Sequence, residues 1–553
     1  MTAPDAPNSL LSPLTVPVFR RIWLASLLSN FGILIQGVGA AWSMNRMTDN
    51  AAMVALVQTA LMLPMMLIAL PAGAISDMFD RRWVCIGALT LAFIGAVGLC
   101  LVTLMGLLNP PILLGFCFVV GTGMAIFAPA WQASVTEQVP SHALPAAIAL
   151  NGISFNVARS FGPAIGGVIV AAVGAIGAFV ANAVFYLPLL IVLILWKRRQ
   201  EPARLAPETF WRALVSGVRF IRYSPPHRRF ILRTVLFGLI GGVVPALMPL
   251  IARRLLDGGA PVYGVLLGAF GLGAVAGAVI LPRIRARLTT EHSSRLSAVI
   301  MGGAILVTAF SRVEAITVVA LVAAGIAWTT VLTLYSISIQ LSAPRWVAGR
   351  ALASFQATIA GGVAFGAWGW GRLAEKVGLQ ETLALAGGSM ILSALVGFWL
   401  KLPDMPALGL DTSIRRADPD VDLDLTLRSG PIVIEIDYVV SREHARAFYE
   451  AMQTVRRSRQ ASGAYGWSIA RDISDGMRWT ERFHSPTWND YLHLSQRVSS
   501  SGQEADGHLV WLDPDVAPRI RRMLERPAGS VRWHDESPDR DARDVSVGKI
   551  AAP

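Results

Sequence analysis

The sequence predicts an all-α membrane fold: twelve transmembrane helices in two pseudo-symmetric six-helix bundles, with a small α+β ferredoxin-like domain appended on the cytoplasmic side. Three observations predict it. Of 553 residues, 54% are hydrophobic and 15% charged, with a mean hydropathy of +0.53, whereas a soluble chain carries about 25% charged residues. Twelve apolar runs are each long enough for a span, which needs roughly 20 mostly apolar residues. The chain also repeats itself weakly at an offset of 204 residues, as Gly73 and Gly277, Arg81 and Arg285, Pro140 and Pro344, Gly162 and Gly366, Gly167 and Gly371, and Gly174 and Gly378 show.

The runs begin near Phe19, Ala51, Val84, Ile112, Ala143 and Ala175, then near Ile231, Val262, Leu296, Ala315, Val347 and Thr382. The opening segment has no short basic stretch followed by a small-residue cleavage site, so the first run is expected to be a retained span. The resulting plan is an N-terminal bundle over 1–196, a basic cytoplasmic loop over 197–230 and a second bundle over 231–402. An acidic linker over 403–429, a ferredoxin-like domain over 430–535 and a flexible tail over 536–553 follow.

Charge sets the expected orientation. Residues 1–402 hold 28 Lys/Arg and 12 Asp/Glu, net +16, while residues 403–553 hold 20 and 24, net −4. The basic excess falls in alternate connections: Arg20 and Arg21, Arg81 and Arg82, the 197–233 segment, Arg283 to Arg295, and Arg345 with Arg350. Lys and Arg gather on the cytoplasmic side of short loops, so both termini are expected there, in a bacterial inner membrane. The same placement in loops argues against nucleic acid as the partner and for membrane lipid. Cys85, Cys100 and Cys117 sit inside apolar runs without metal-ligand spacing, and no phosphate-binding loop is present. No cofactor, no metal and no ATP-driven step are expected.

Two segments carry the mechanism. After the second run the chain reads Gly73-Ala-Ile-Ser-Asp77-Met-Phe-Asp80-Arg81-Arg82. Gly73 would let helices approach, Asp77 could meet a helix N-terminus, and the arginines could pair with carboxylates or lipid phosphates. In the fifth run, Arg159-Ser-Phe-Gly162-Pro163-Ala-Ile-Gly166-Gly167 places side-chain-free positions where helices can pack closely and a proline that bends the helix. An arginine at mid-bilayer costs roughly 2.5–3.5 kcal/mol on insertion scales. Arg159 is therefore either a charge facing substrate or a coupling site, or an arginine pairing helices near the cytoplasmic end of its span.

Gln36, Trp42, Gln58, Trp131, Gln132, Asn151, Asn156, Asn182, Gln340, Gln356 and Trp368 are the polar and aromatic candidates for a substrate cavity. Uncharged amides between aromatic walls suit an amphipathic ligand, and each is equally a candidate interhelical hydrogen bond or interface anchor. Acids lie only near span ends, which leaves Asp77 and Glu137 as candidates for proton coupling.

The second-loop segment resembles the signature loop of the major facilitator superfamily, with Met78 and Asp80 departing from its basic and glycine positions. The fifth-run segment resembles the motif of that superfamily's exporters and antiporters. Phe19-Arg20-Arg21-Ile22-Trp23, Pro129-Ala-Trp131-Gln132-Ala and Leu144-Pro145-Ala-Ala-Ile-Ala-Leu-Asn151 resemble its enterobactin-exporter-like, transmembrane secretion effector branch, over residues 12–402. The resemblance implies a secondary transporter that exports a siderophore or hydrophobic drug by proton antiport. Uptake by a related carrier, or a non-transporting receptor, are the alternatives.

Beyond the linker, PIVIEIDYVV alternates as a strand, SREHARAFYEAMQTVRRSR reads as an amphipathic helix, and AYGWSIARDIS with MRWTERFHS reads as a hairpin around Asp475-Gly476. A second helix is expected after Ser485-Pro486, a third after Pro514, and a last strand at VRWHDES. The order resembles the antibiotic-biosynthesis monooxygenase group of dimeric α+β-barrel domains, with Trp488 and His493 near functional positions of some members. A dimerising or regulatory domain is the expectation. Oxygenase-like activity in residues 430–535, ligand sensing, or Trp and His residues that simply fill the core remain alternatives.

Overall fold

The computed structural model describes residues 11–140, 143–196, 218–219, 221–343, 348–403, 423, 425–426, 429–496 and 519–525. The chain forms two compact units. The larger holds twelve helices long and apolar enough to cross a membrane. They are Pro17–Met47, Ala51–Ser76, Arg81–Leu104, Pro110–Glu137, Ala146–Val173, Ala175–Leu195, Pro225–Leu255, Ala260–Arg287, Thr290–Phe310, Glu314–Ser342, Gly349–Val377 and Leu379–Trp399. These are the first to twelfth spans, and each predicted run overlaps one.

The turns between spans are capped as the sequence dictates. Asn50 accepts from the amides of Ala52 and Met53 to start the second span, Asn109 from Ile112 to start the fourth, and Thr289 from His292 to start the ninth. Each side chain satisfies amides that a helix start leaves free. Gly174 and Gly378, one repeat apart, take positive φ at the turns before the sixth and twelfth spans, where a side chain would be strained. Proline and a rare π turn shape the seventh span. Pro249 is followed by a π segment, Ile251–Leu255, in which Leu256 donates five residues back to Ile251.

The smaller unit centres on a four-stranded antiparallel sheet: β1 (Ile432–Val439), β2 (Tyr465–Arg471), β3 (Arg478–Ser485) and β4 (Arg519–Leu524), in the order β2-β3-β1-β4. With helices at Ala445–Ser462 and Trp488–Gln496 between strands, this is the ferredoxin-like topology. Ile432, Ile434, Ile436 and Tyr438 alternate into one core with Phe448, Met452, Val455, Phe483 and Trp488. β4 corrects the expectation of a third helix after Pro514. Arg521 of β4 reaches Asp437 at 3.0 Å and Glu435 at 3.2 Å across the ladder, so its charges serve strand pairing and not a helix face. VRWHDES lies outside the described residues.

Candidate functional site

Several sets of contacts join the two six-helix halves, and the glycines of the fifth span make one of them. A Cβ on Gly162 or Gly166 would fall about 3.1–3.2 Å from Leu34, Ile35 and Val38 of the first span, within the same half. Gly167 faces the other half. A Cβ there would lie 2.8 Å from the Ala260 carbonyl oxygen and 2.9 Å from Gly264 Cα in the eighth span, and one on Gly264 would lie 2.8 Å from the Pro163 carbonyl oxygen. Further along, a Cβ on Gly271 would meet the Arg159 carbonyl oxygen at 2.5 Å. The fifth and eighth spans therefore touch backbone to backbone, which only glycine permits.

The second and eleventh spans form another seam. Thr59 donates to the Ala364 carbonyl at 2.9 Å, and Gly371 packs on Ala52 and Ala55. At Gly73, by contrast, the nearest atom to an added Cβ is Ala353 Cβ at 3.9 Å, so the signature glycine has room for a methyl in this structure.

The third set closes one end of the bundle. Arg253, on the π turn, donates to the Asn45 carbonyl at 2.5 Å and pairs with Asp49 at 3.2 Å. Arg254 donates to the Asp49 carbonyl at 2.5 Å, Asn45 reaches the Pro249 carbonyl at 3.4 Å, and Asn50 donates to Glu375 at 2.9 Å. Two cations on the seventh span thus cap the carbonyl end of the first, where a helix dipole favours positive charge. This latch was not anticipated from sequence, because nothing in the run marks the π turn that aims both arginines.

The signature loop is rewired at the opposite ends of the spans. Arg81 donates to Glu137 at 2.8 Å and to the Ala133 carbonyl at 3.2 Å, joining the third span to the fourth. Arg82 donates to the last carbonyls of the sixth span, Leu193 at 2.9 Å and Ile194 at 2.6 Å. Asp80, standing where the motif has glycine, caps the third span through the Arg82 amide at 2.9 Å. The side chain of Asp77 lies outside the described residues.

The second half holds a buried charge cluster that the reading of acids by sequence position passed over. Glu291, only 3% exposed, meets Arg295 at 2.7 Å and Arg233 at 3.4 Å, and accepts from the Leu402 amide at 3.0 Å. Ser294 bridges Arg233 at 3.1 Å and Tyr335 at 2.5 Å. Arg233 is itself buried, so Arg159 is not the sole cation inside a span.

Arg159 stands near the middle of its helix, Leu144–Val173, fifteen residues from one end and so about 22 Å from it at 1.5 Å per residue. Half-buried, it places its guanidinium 5.6 Å from the Phe270 ring centroid of the eighth span. Phe270 continues to Trp328 of the tenth span at 6.4 Å and on to Phe237 of the seventh at 5.5 Å. Periodicity marks none of these three rings, since it does not say which face of a buried helix meets the other half.

The remaining candidates separate. Gln36 and Asn182 hydrogen-bond to each other, both buried, and so pin the first span to the sixth. Trp42 stacks on Tyr263 across the halves at 6.2 Å, and Trp131 stacks on Phe127 at 5.5 Å. Asn156 and Gln340 bond within their own helices, to Gly152 and Ser336. Gln58, Asn151 and Gln356 are half-buried, Gln132 is exposed, and Trp368 is 48% exposed. In the smaller unit Trp488 is buried and stacks on Tyr491 at 5.3 Å, as a core residue does. The His493 side chain lies outside the described residues.

Twelve spans in two halves, joined by glycine seams and latched at one end, define the fold of a major facilitator carrier. Solved structures agree in fold. The nucleoside transporter NupG (D323A mutant) superposes with a TM-score of 0.59 at 11% identity over 69% of this chain and 100% of its own. A bacterial homologue of the lysosomal transporter Spinster gives 0.51 at 16% identity over 69% and 94%. The family model for transmembrane secretion effectors matches residues 8–528, and the chain belongs to that family. It is similar to the staphyloferrin A transporter of Staphylococcus aureus (23% identity; 53% of this chain, 74% of the relative). It is likewise similar to the multidrug efflux pump Tap of Mycolicibacterium fortuitum (25%; 71% and 97%) and the enterobactin exporter EntS of Shigella flexneri (28%; 51% and 65%). The chain is thus a multi-pass membrane transporter.

Proposed function

We propose that this transporter exports a small amphipathic molecule, a siderophore or hydrophobic drug, from a bacterial cell by proton antiport. Both termini are cytoplasmic in this reading, and the Arg253–Asp49 end faces outward. The observation that carries it is the seam of the fifth and eighth spans. Of its glycines, Gly167 belongs to the segment that resembles the exporter motif and meets Gly264 of the eighth span, and such a side-chain-free seam lets one half rock against the other with little rearrangement. The export or efflux named for two relatives supports the direction. Glu137, held by Arg81 at 2.8 Å, and Asp77 are the proposed proton-coupling acids. The ferredoxin-like unit is proposed as a dimerising or regulatory module.

Inverted membrane vesicles energised with a proton gradient test the direction. Accumulation of a siderophore or lipophilic drug that dissipates the gradient is expected. Compound leaving such vesicles under the same gradient would sink the export reading.

A further inference from the structure

Arg159 differs from Arg81, Arg233 and Arg295 in what it lacks. Arg81 has Glu137, and Arg233 and Arg295 share Glu291. Arg159 has, among the described residues, no hydrogen bond and no ion pair, only the face of Phe270. Among the described acid side chains of the spans none supplies the missing charge: Glu137 is held by Arg81, and Glu291, Glu314, Glu375 and Glu381 lie in a first or last turn. A half-buried guanidinium near the middle of its helix, without a carboxylate, favours an anionic partner.

Its surroundings specify the rest of the partner. From Arg159 a run of rings passes through Phe270 and Trp328 to Phe237, crossing from one half of the protein into the other. Trp328 and Phe237 are buried and back the half-buried Phe270 ring from within the second half. A held aromatic ring beside a cation that has no ion pair among the described residues fits a planar apolar body with an anionic end. A ligand spanning them would touch both halves, as alternating access requires.

We propose that Arg159 and Phe270 belong to the substrate site, with Trp328 buried behind the Phe270 ring, and that the transported molecule is an aromatic organic anion in preference to a cation. The inference rests on the reading of the chain as a small-molecule carrier. It narrows the substrate class, and sets an anionic cargo above the cationic lipophiles that an efflux pump could equally take.

Equilibrium binding to the full chain in lipid nanodiscs tests it, with signal from empty nanodiscs subtracted. The probes are anilinonaphthalene sulfonate, its uncharged counterpart phenylnaphthylamine, and a cationic rhodamine. Wild type is expected to bind the anion at least about tenfold more tightly than the other two. Arg159→Gln weakens the anion by about ten- to a hundredfold and leaves the uncharged probe unchanged, whereas Trp328→Leu weakens both. Arg159→Lys keeps the order of preference. Wild type that binds the uncharged or cationic probe as tightly as the anion overturns the proposal, whether or not Arg159→Gln folds. Arg159→Gln that moves both probes equally also overturns it, because that marks a packing role. Binding has no direction, so failure of export leaves this result standing, and the reverse holds too.

Discussion

Gly167→Ala concentrates the mechanical argument in one methyl group. The added carbon would sit 2.8 Å from the Ala260 carbonyl oxygen and 2.9 Å from Gly264 Cα, while comfortable separations run at about 3.5 Å. Both neighbours are backbone and cannot swing aside, so the fifth and eighth spans must part by roughly 0.6 Å. Overpacking of this kind costs about 1–3 kcal/mol. Because the seam lies between the halves, the cost falls on whichever state of the cycle needs the closest approach, and about 5–150-fold in rate is at stake. Initial rates in proteoliposomes, normalised to folded protein, measure it. Gly73→Ala is the internal control, since its nearest neighbour stands at 3.9 Å, and its rate should stay within about twofold. Gly166→Ala, which presses only on the first span of its own half, should show its effect in thermal stability. A Gly167→Ala protein of wild-type rate and stability, or a crippled Gly73→Ala, would refute the reasoning.

Other perturbations probe the charge clusters. Arg81→Ala combined with Glu137→Gln should give a coupling of about 1 kcal/mol in a double-mutant cycle of thermal unfolding, because the pair is only partly buried; strict additivity would remove the ion pair from the account. Glu291→Ala leaves Arg233 buried without its carboxylate and should cost about 3–5 kcal/mol. Arg233→Met in the same chain should restore much of that loss, and no recovery would mean that Glu291 acts elsewhere. In the smaller unit Glu481 is fully buried and accepts from Tyr438 and Trp467 at 2.9 Å and from Arg459 at 3.2 Å. Glu481→Ala should therefore lower the unfolding transition of that unit by a comparable about 3–5 kcal/mol while the transmembrane transition holds. A shift of both transitions together would show that the units unfold as one.

Much of this architecture was legible because lipid is an unforgiving solvent. Every span must carry about 20 apolar residues and every turn must pay out its caps locally, so runs and breaks such as Asn50, Asn109 and Gly174 mark the helices directly. The fifth-span glycines were legible for a similar reason: a cluster without side chains inside a span implies a close neighbour, although not that Gly162 and Gly166 meet the first span and Gly167 the eighth. Residues whose role depends on a partner distant in sequence were hidden. Glu291 reads as a helix-end acid until Arg233, 58 positions away, buries against it. Gln36 and Asn182 read as amides open to a ligand or to a neighbouring helix until Asn182 is seen to donate to Gln36. Arg253 and Arg254 need the π turn to aim them, and β4 needs the acids of β1 opposite its arginines to prefer a strand over a helix.

The proposed alternating access requires the end where Arg253 meets Asp49 to open. The most direct measurement bridges Asp49→Cys to Arg253→Cys with a short thiol-reversible reagent and follows transport in proteoliposomes. The native Cys85, Cys100 and Cys117 are all buried, so the reagent addresses the introduced pair. The bridged protein should lose transport by about tenfold or more, equivalent to about 1.4 kcal/mol on the barrier, and recover it on reduction. Full transport by the bridged protein would show that this end never opens, and would contradict the alternating-access account at its base.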